Sequence, residues 1–570
     1  MPALLECVPN FSEGTDAEVI RRITDRIKAV DGIRLLDVDP GKAANRTVVT
    51  FVGPPDAVAE AAFDAIETAS ELIDMRKHSG RHPRIGATDV CPLVPVSGIS
   101  MDEAVTLART LAERVGRELQ IPVYCYENAA FIRERRSLAF CRTGEYEGLK
   151  DRLRDPRWKP DFGPARFNAR AGATVIGARD FLVAYNVNLN TTSARLAGGI
   201  AADVREKGRL CKDGSKAGGS PLCTPGALKA CKAIGWYIRE YGIAQVSMNL
   251  TDITVTPVHT AFEEVCRRAE ALGLRVTGSE IVGLVPKRTL TEAGRYFLLK
   301  QRLSAGVSED ELIRIAVRSL GLSDLKPFIA DEKIIEYRIA DSAERALANL
   351  TVRAFADEVA SLSPAPGGGS VAALAGALGS ALGSMVAAIS SQKTDWEDRW
   401  REFSDWAEKG QRLKEDLLEL ADEDNRAFQR VMAALVKPKK TVEEKTGRTA
   451  AIEEATRAAM EVPFQVMEKS LAAMVLLRAM AQEGSPASVT DAGVGALCAR
   501  TALIGAFLNI RINAAALRDR NYAGKLLERG TDMVTLCERQ ETEIRRIVDK
   551  RLAELATPKA TASQKRKTKK

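Results

Sequence analysis

Up to about residue 340 the chain alternates short apolar runs with longer stretches in which apolar residues recur every three or four positions. "ALLECVPNF", "IRLLDVD", "RTVVTFVG" and "CPLVPVSG" are brief, apolar and bounded by Gly, Pro or Asp, which predicts strands. Between them, "VIRRITDRIKAV" and "AVTLARTLAERV" follow the helical period. A capping box precedes each helix: Thr15 with Glu18, and Ser100 with Glu103. The order β-α-β…β-α-β predicts an α+β sandwich of the ferredoxin-like kind. A second set runs from "FLVAYNVNLN" (181–190) through "AQVSMNLTDITVTPV" (244–258) to "RVTGSEIVGLVP" (275–286). After residue 350 the strand signal vanishes into Ala-rich helix. The expected architecture is therefore multidomain: two ferredoxin-like α/β subdomains, 1–180 and 181–328, a linker over 329–350, and an all-helical bundle over 351–555. A basic tail, 556–570, is expected to be disordered.

One apolar stretch, "VAALAGALGSALGSMVAAI" (371–389), imitates a membrane span in length. It is built from Ala, Gly and Ser, without an aromatic belt. Gly376, Gly379 and Gly383, with Ser380 and Ser384, predict a buried helix that other helices approach closely. Charge changes the picture little. The formal charge is +7, but Lys559, Lys565, Arg566, Lys567, Lys569 and Lys570 supply six of those charges, leaving +1 for the body. That excludes a basic nucleic-acid platform, and no membrane span is expected. Ten cysteines lie scattered with no CxxC pair, and "ECVPNF" opens the chain without an export signal. Unpaired thiols in a reducing cytoplasm are expected, with no metal site.

Several segments carry candidate chemistry. In "YNVNLN", Asn186, Asn188 and Asn190 share one strand face, and in "AQVSMNLT" so do Gln245, Ser247, Asn249 and Thr251. Rows of neutral amides suit a groove that hydrogen-bonds a polar small molecule, or else an unusual solvated sheet face. "RWKPDFGPARFNARAGA" (157–173) is a long loop interleaving Trp158, Phe162 and Phe167 with Arg157, Arg166 and Arg170. Such a loop can stack a flat heterocycle and fork onto carboxylates, or it can be a linker pinned by aromatics. "SPAPGGGSVAALAG" lacks a Walker lysine; as a helix start around Gly368 and Ser370 it is either an anion site or a tight entry turn.

Asp424 stands out in the second half. Leu413, Leu417, Ala421, Asp424, Phe428, Val431 and Leu435 form one helical seam with a carboxylate in its middle, whereas Asp422 falls off the seam and is expected to be solvated. A buried carboxylate is paired or functional, since desolvation raises its pKa toward that of a general acid or base. Asp491, Asn509 and Asn513 on another apolar helix suggest a polar pocket in the bundle. Of the three histidines, His78 and His82 sit together in "MRKHSGRHPRIGATDV", where Gly80 and Pro83 argue against a helix and no HExxH pattern exists. Either could transfer protons near neutral pH.

"LLECVPNFSEG", "NRTVVTFVGPP", "LIDMRKHSGRHPRIGATDVCP", "WKPDFGPARF" and "APGGGSVAALAGALGSALGSMV" together resemble the formimidoyltransferase-cyclodeaminase family from Met1 to about residue 550. These are bifunctional folate enzymes of histidine breakdown. The resemblance implies transfer of the formimino group from N-formimino-L-glutamate to N5 of tetrahydrofolate. An ammonia-lyase step follows, closing the ring to 5,10-methenyltetrahydrofolate. It implies His82 as the transferase proton shuttle, with His78 a neighbour in the substrate pocket, and Asp424 as the cyclodeaminase residue. The folate segment it implies is Gly163, Pro164, Ala165, Arg166, Phe167, Asn168, Ala169, Arg170, Ala171 and Gly172. It also implies polyglutamylated folate as co-substrate and a homo-oligomer built as a ring of dimers. Two departures stand out: the 206–230 segment looks longer than in animal enzymes, and Ala165 and Arg166 replace small hydroxyl residues. Two alternatives remain open. One is glutamate formyltransferase with methenyltetrahydrofolate cyclohydrolase; the other is a helical domain that serves only as a folate-binding or oligomerisation scaffold.

Overall fold

A computed structural model of the chain describes residues 3–42, 45–80, 83–210, 223–339 and 347–556. His82, residues 211–222 of the 206–230 segment, part of the expected linker and the tail beyond 556 lie outside them. Two compact units emerge, Met1–Ala293 with Val317–Ala340 and Gly294–Ala316 with Asp341–Lys570.

In the first unit, β1 (Leu4–Cys7) and β2 (Asn10–Phe11) are two halves of one strand, broken at Val8–Pro9 where proline removes a ladder donor. Both halves pair antiparallel with β4 (Arg46–Gly53) on one side and β5 (Thr88–Ser97) on the other, and β3 (Arg34–Gly41) flanks β4. With α1 (Ala17–Lys28) and α2 (Pro55–Leu72), this is the ferredoxin-like order that the alternating pattern predicts. Helix α3 (Met101–Glu118) then leads to β6 (Val123–Glu127), while α4 (Leu138–Cys141) and α5 (Glu145–Arg152) lead to β7 (Thr174–Ala178). β7 inserts between β5 and β6, parallel to both, and widens the sheet.

Helix α3 starts with the expected capping box, Ser100 Oγ accepting from Glu103 N–H at 3.3 Å and Glu103 returning a bond to Ser100 N–H at 2.8 Å. Helix α1 differs from expectation: its cap is Asp16, which accepts from Glu18 N–H at 2.9 Å. Glu13 captures the N–H and O–H of Thr15, both at 2.8 Å, so the neighbouring Asp, an equally strong cap, takes over.

The second sheet repeats the topology with β8 (Val183–Leu189), β11 (Cys231–Ile238), β12 (Ile243–Leu250) and β13 (Val276–Val282), while β9 (Arg209–Leu210) and β10 (Cys223–Thr224) pair antiparallel in a separate two-stranded sheet. The larger sheet has the order β11-β12-β8-β13, with α6 (Ala194–Val204) and α7 (Val258–Glu270) as the crossover helices. Gly235 leaves no room for a Cβ against Gly198, so α6 lies directly on the strand. Helices α8 (Lys287–Lys300), α9 (Glu309–Leu320), α10 (Ala330–Lys333) and α11 (Ile335–Ile339) follow.

Residues 294–316, from the middle of α8 to the middle of α9, group by contact with the helical unit. There Ala305 N–H donates to Ser404 Oγ at 3.1 Å and Arg295 pairs with Glu408 at 3.0 Å. The bundle itself comprises α12 (Val352–Val359), α13 (Gly368–Ser391), α14 (Trp400–Leu435), α15 (Val442–Glu483), α16 (Val489–Ala516) and α17 (Arg520–Ala556). Helix α13 packs against α14, α15 and α16. A Cβ at Gly379 would stand 2.7 Å from Gly495 O, and one at Gly383 2.8 Å from Leu476 Cδ2. The small residues thus permit close helix approach, as their pattern predicts.

Candidate active sites

In the first unit a cavity of about 710 Å³ is lined by residues of both modules, including Glu6, Arg46 and Arg142 from the first and Lys232 and Asn249 from the second. Its base is built on Asp89, a carboxylate only 1% exposed. Arg46 approaches Asp89 Oδ2 at 3.2 Å and Arg142 the same oxygen at 2.5 Å, while Ile85 N–H donates to Oδ1 at 3.0 Å. One buried negative charge therefore holds two guanidiniums in place. Burial lowers the Arg46 pKa to about 10, with Asp89 opposing the shift and Arg142 adding to it. Asn10, just past the strand break, accepts from Arg46 Nε at 2.9 Å. Glu6, in the middle of β1, is 4% exposed and borders the cavity. Burial pushes its carboxyl up to about 7, against the pull of Arg179 and with Glu336 adding to the rise.

Pro83, next in sequence to His82, also lines this cavity. His78 borders a neighbouring surface depression with Gly80, Arg84, Gly144, Glu145 and Glu147. Arg84 Nε, an obligate donor, gives to His78 Nδ1 at 3.2 Å, so His78 Nε2 donates to Asn45 O at 2.8 Å. Glu145 and Glu147 in turn grip Arg84, at 3.1 and 2.6 Å. Both nitrogens of His78 are committed to holding the loop.

The polar strands are only partly groove-forming. Asn249 reaches the cavity, and Asn186 lies 3.4 Å from Glu280. Asn188 and Gln245 are 0% and 1% exposed and satisfy each other: Gln245 Nε2 donates to Asn188 Oδ1 at 2.8 Å, and Asn188 donates to Asp324 at 2.9 Å. They form an internal polar ladder, because α9 and the turn after it supply Asp324 over that part of the sheet face.

The loop at 163–172 does not border the 710 Å³ cavity. Gly163 and Gly172 have φ of +78° and +73° and press against Ile121 O and Ile85 O, so glycine is required at both ends. Asn168 Oδ1 accepts from the backbone N–H of Arg170 and Ala171, and Arg170 itself binds Ser70 O and Glu71 O at the end of α2. Phe167 tilts on Tyr146 with centroids 5.5 Å apart, and Trp158 stacks on Phe140 at 4.6 Å beneath Arg152. These aromatics are occupied by neighbours rather than forming an open stacking platform. Pro164 and Ala169 are half-buried, Ala171 is buried, and Ala165 and Arg166 are exposed.

In the second unit Asp424 of α14 sits over the first turn of α13. Ser370 Oγ donates to Asp424 Oδ2 at 3.0 Å, and a Cβ on Gly369 would fall 2.2 Å from Oδ1. Burial raises the Asp424 pKa, and the side-chain and backbone hydrogen bonds from Ser370 only partly oppose it. Asn509 stands across from Gly368, its Nδ2 3.8 Å from where a Cβ there would lie. Gly368, Ser370, Asp424 and Asn509 thus converge. Asp491 does not, since 18 residues of helix set it roughly 27 Å along the axis from Asn509. Asn513 instead ties α16 to Ala459 O at 2.9 Å. The seam that picked out Asp424 opens beyond it: Leu435 is 42% exposed, because α13 begins at that level. Beside the opening, Asn425, Phe428 and Pro366 border a second cavity of about 680 Å³. Asp422, half-buried, also accepts from Leu347 N–H at 2.5 Å.

Glu6, Arg46, Asp89 and Arg142 were not singled out from the sequence; the available signal was a lone charge inside an apolar strand in "LLECV" and "TDVCPL".

Two unlike units, one with a cavity beside the buried Glu6 and Asp89 and the other with a cavity beside the half-buried Asp424, define a two-site enzyme. Three family models match: Formiminotransferase domain, N-terminal subdomain, over 4–179; Formiminotransferase domain over 184–340; and Formiminotransferase-cyclodeaminase over 351–531. The chain is 44% identical over 530 residues to the formimidoyltransferase-cyclodeaminase of Rattus norvegicus, covering 93% of this chain and 96% of that one. It is 43% identical over 298 residues to the glutamate formimidoyltransferase of Thermoplasma acidophilum, covering 52% of this chain and 92% of that one. It is also 37% identical over 180 residues to the methenyltetrahydrofolate cyclohydrolase of Methylorubrum extorquens, covering 32% and 86% respectively. The chain belongs to the formimidoyltransferase-cyclodeaminase family.

Proposed function

We propose that the chain moves the formimino group from N-formimino-L-glutamate to N5 of tetrahydrofolate in its first unit. Its second unit then closes the ring to 5,10-methenyltetrahydrofolate with loss of ammonia. Membership of the family over both units carries this reading. In the first step N5 attacks the amidine carbon, and the N5 proton must leave while the glutamate nitrogen gains one. His82 is proposed to shuttle that proton, a role suited to an imidazole titrating near neutral pH; that Pro83 lines the cavity supports the assignment. In the second step N10 attacks the same carbon and the formimino nitrogen departs as ammonia. Asp424 is proposed to accept the N10 proton and deliver one to ammonia, which the burial-raised proton affinity of its carboxyl supports.

Polyglutamylated folate as the working substrate, assembly into a homo-oligomer and a cytoplasmic setting belong to the same reading. Exposed apolar residues on α13 and α16, among them Leu378, Ile389, Leu508 and Ile512, support self-association, and the free thiols of the described cysteines support a reducing compartment.

The test is a split of activities. His82→Ala should lose formimino transfer while supplied 5-formiminotetrahydrofolate still cyclises, and Asp424→Asn should do the reverse. Persistence of both activities in either variant refutes that residue's role. The cyclohydrolase relative favours one competing reading, formyl transfer followed by cyclohydrolysis. Ammonia release from formiminoglutamate plus tetrahydrofolate decides between them.

A further inference from the structure

The two donors that the first unit must tell apart, N-formimino- and N-formylglutamate, are nearly isosteric. They differ in one group: the formimino donor carries an amidinium, which is cationic at neutral pH, where the formyl donor carries a neutral carbonyl. Discrimination therefore needs an anion at the reacting end of the cavity, since shape cannot supply it.

The carboxylates bordering the cavity differ in how they are engaged. Asp89, beneath it, is consumed by Arg46 and Arg142. Glu145 pairs with Arg84. Asp37 and Asp39 lie toward the outer edge on β3, where Asp39 is exposed. Glu127 is half-buried at the end of β6, with Lys232 and Arg179 near it. Glu6 alone of these is at once nearly fully buried, bordering the cavity and without a side-chain hydrogen bond to any described residue. It lies on β1, two residues before the strand break at Val8–Pro9, and Asn10 and Arg46 line the same cavity. The charged groups facing it are Arg179 and Glu336, and they act in opposite directions.

We propose that Glu6 is the specificity-determining carboxylate that receives the amidinium of the formimino donor and so selects it over the formyl donor. This rests on the transferase reading of the first unit. A planar amidinium presents two N–H groups to a carboxylate as a guanidinium does, and a desolvated pair of this kind is far stronger than an exposed one. In the free protein the Glu6 carboxyl holds its proton up to about pH 7. Entry of the amidinium displaces that proton to solvent, whereas a formyl donor leaves it in place. No bond in the donor is made or broken in this step.

The experiment compares kcat/KM for the two donors in the full-length wild-type, Glu6→Gln and Glu6→Asp proteins. Cyclisation of supplied 5-formiminotetrahydrofolate by the second unit reports folding of the same preparation. In Glu6→Gln the formimino-to-formyl ratio of kcat/KM should fall roughly a hundredfold, the cost of unpairing a buried charge. Glu6→Asp, which keeps the charge, should retain most of it. An unchanged ratio in Glu6→Gln overturns the proposal. Should Glu6→Gln fail to fold, wild-type calorimetry in buffers of differing ionisation enthalpy decides. Formiminoglutamate binding should release close to one proton at pH 6 and progressively fewer above pH 7, and formylglutamate none; equal proton release by both donors overturns the proposal. A wild-type protein that turns over neither donor would instead refute the transferase reading itself.

Discussion

Gly369→Ala tests whether the second site depends on the fit between α13 and Asp424. The added methyl would fall 2.2 Å from Oδ1, 2.5 Å from Oδ2 and 2.6 Å from Cγ of Asp424. A methyl and a carboxylate oxygen need a little over 3 Å, so the carboxylate must retreat by about 1 Å or the two helices must part. It cannot pivot freely, because Ser370 holds Oδ2 at 3.0 Å from within the same helical turn. A misplacement of about 1 Å at a reacting group typically costs on the order of a hundredfold in rate. Cyclisation of 5-formiminotetrahydrofolate by Gly369→Ala should therefore fall about a hundredfold in kcat, with formimino transfer unchanged. Overpacking should lower stability by about 1–3 kcal/mol in a denaturant titration. Gly447→Ala is the control: nothing lies within 4 Å of a Cβ there, it is a helix-interior position, and stability should rise by up to about 1 kcal/mol without effect on either activity. A Gly369→Ala enzyme that cyclises within threefold of wild type would show that Asp424 is not needed at its observed position.

Gln245→Leu should lower stability by about 1–3 kcal/mol by leaving Asn188 Oδ1 unpaired, while KM for the glutamate donor stays within twofold; a large KM change would return Gln245 to the substrate groove. Asp424→Asn should also change the pH dependence of stability. Burial makes the folded carboxyl hold its proton more tightly than the unfolded one, whose value is 3.8, so the ionised form is a cost of folding above the raised pKa. That cost fades as the pH falls through the raised pKa and is gone only well below 3.8. The variant should accordingly melt above wild type at pH 7.5, with the gap narrowing steadily as the pH falls toward 3.8 and below; a variant less stable at every pH would mark Asp424 as a structural cap of α13.

The parts of this fold that local physics controls were legible in the sequence. The twice-repeated α+β order, the box at Ser100 and Glu103, and the small-residue helix α13 follow from periodicity, capping and side-chain volume, which need no knowledge of the partner. Asp424 was visible for the same reason, since 3.6-residue spacing alone puts it in line with Leu413, Leu417 and Ala421. What failed was inference about covering surfaces. Alternation in "YNVNLN" identified a polar face but not that Asp324, 136 residues from Asn188, closes over part of it. The aromatics around 157–167 left a stacking loop and a pinned linker both open, because the partners of Trp158 and Phe167, Phe140 and Tyr146, come from a preceding helical segment. Glu6 and Asp89 passed unnoticed because a single charge in an apolar strand becomes conspicuous only when the strand is known to be buried on both faces.

The excursion of residues 294–316 has a practical consequence for dividing this polypeptide. Because that stretch packs with the helices while the chain on either side of it belongs to the first unit, the two catalytic units are interdigitated along the sequence. A scission near 341 separates residues 294–316 from the helices they touch. A fragment beginning near 341 would expose Ser404 and Ala407, which Ala305 and Gly306 otherwise cover. A stand-alone cyclodeaminase cut from this protein should need the excursion grafted back, or polar substitutions on that face of α14, before its solubility and its activity could be read separately.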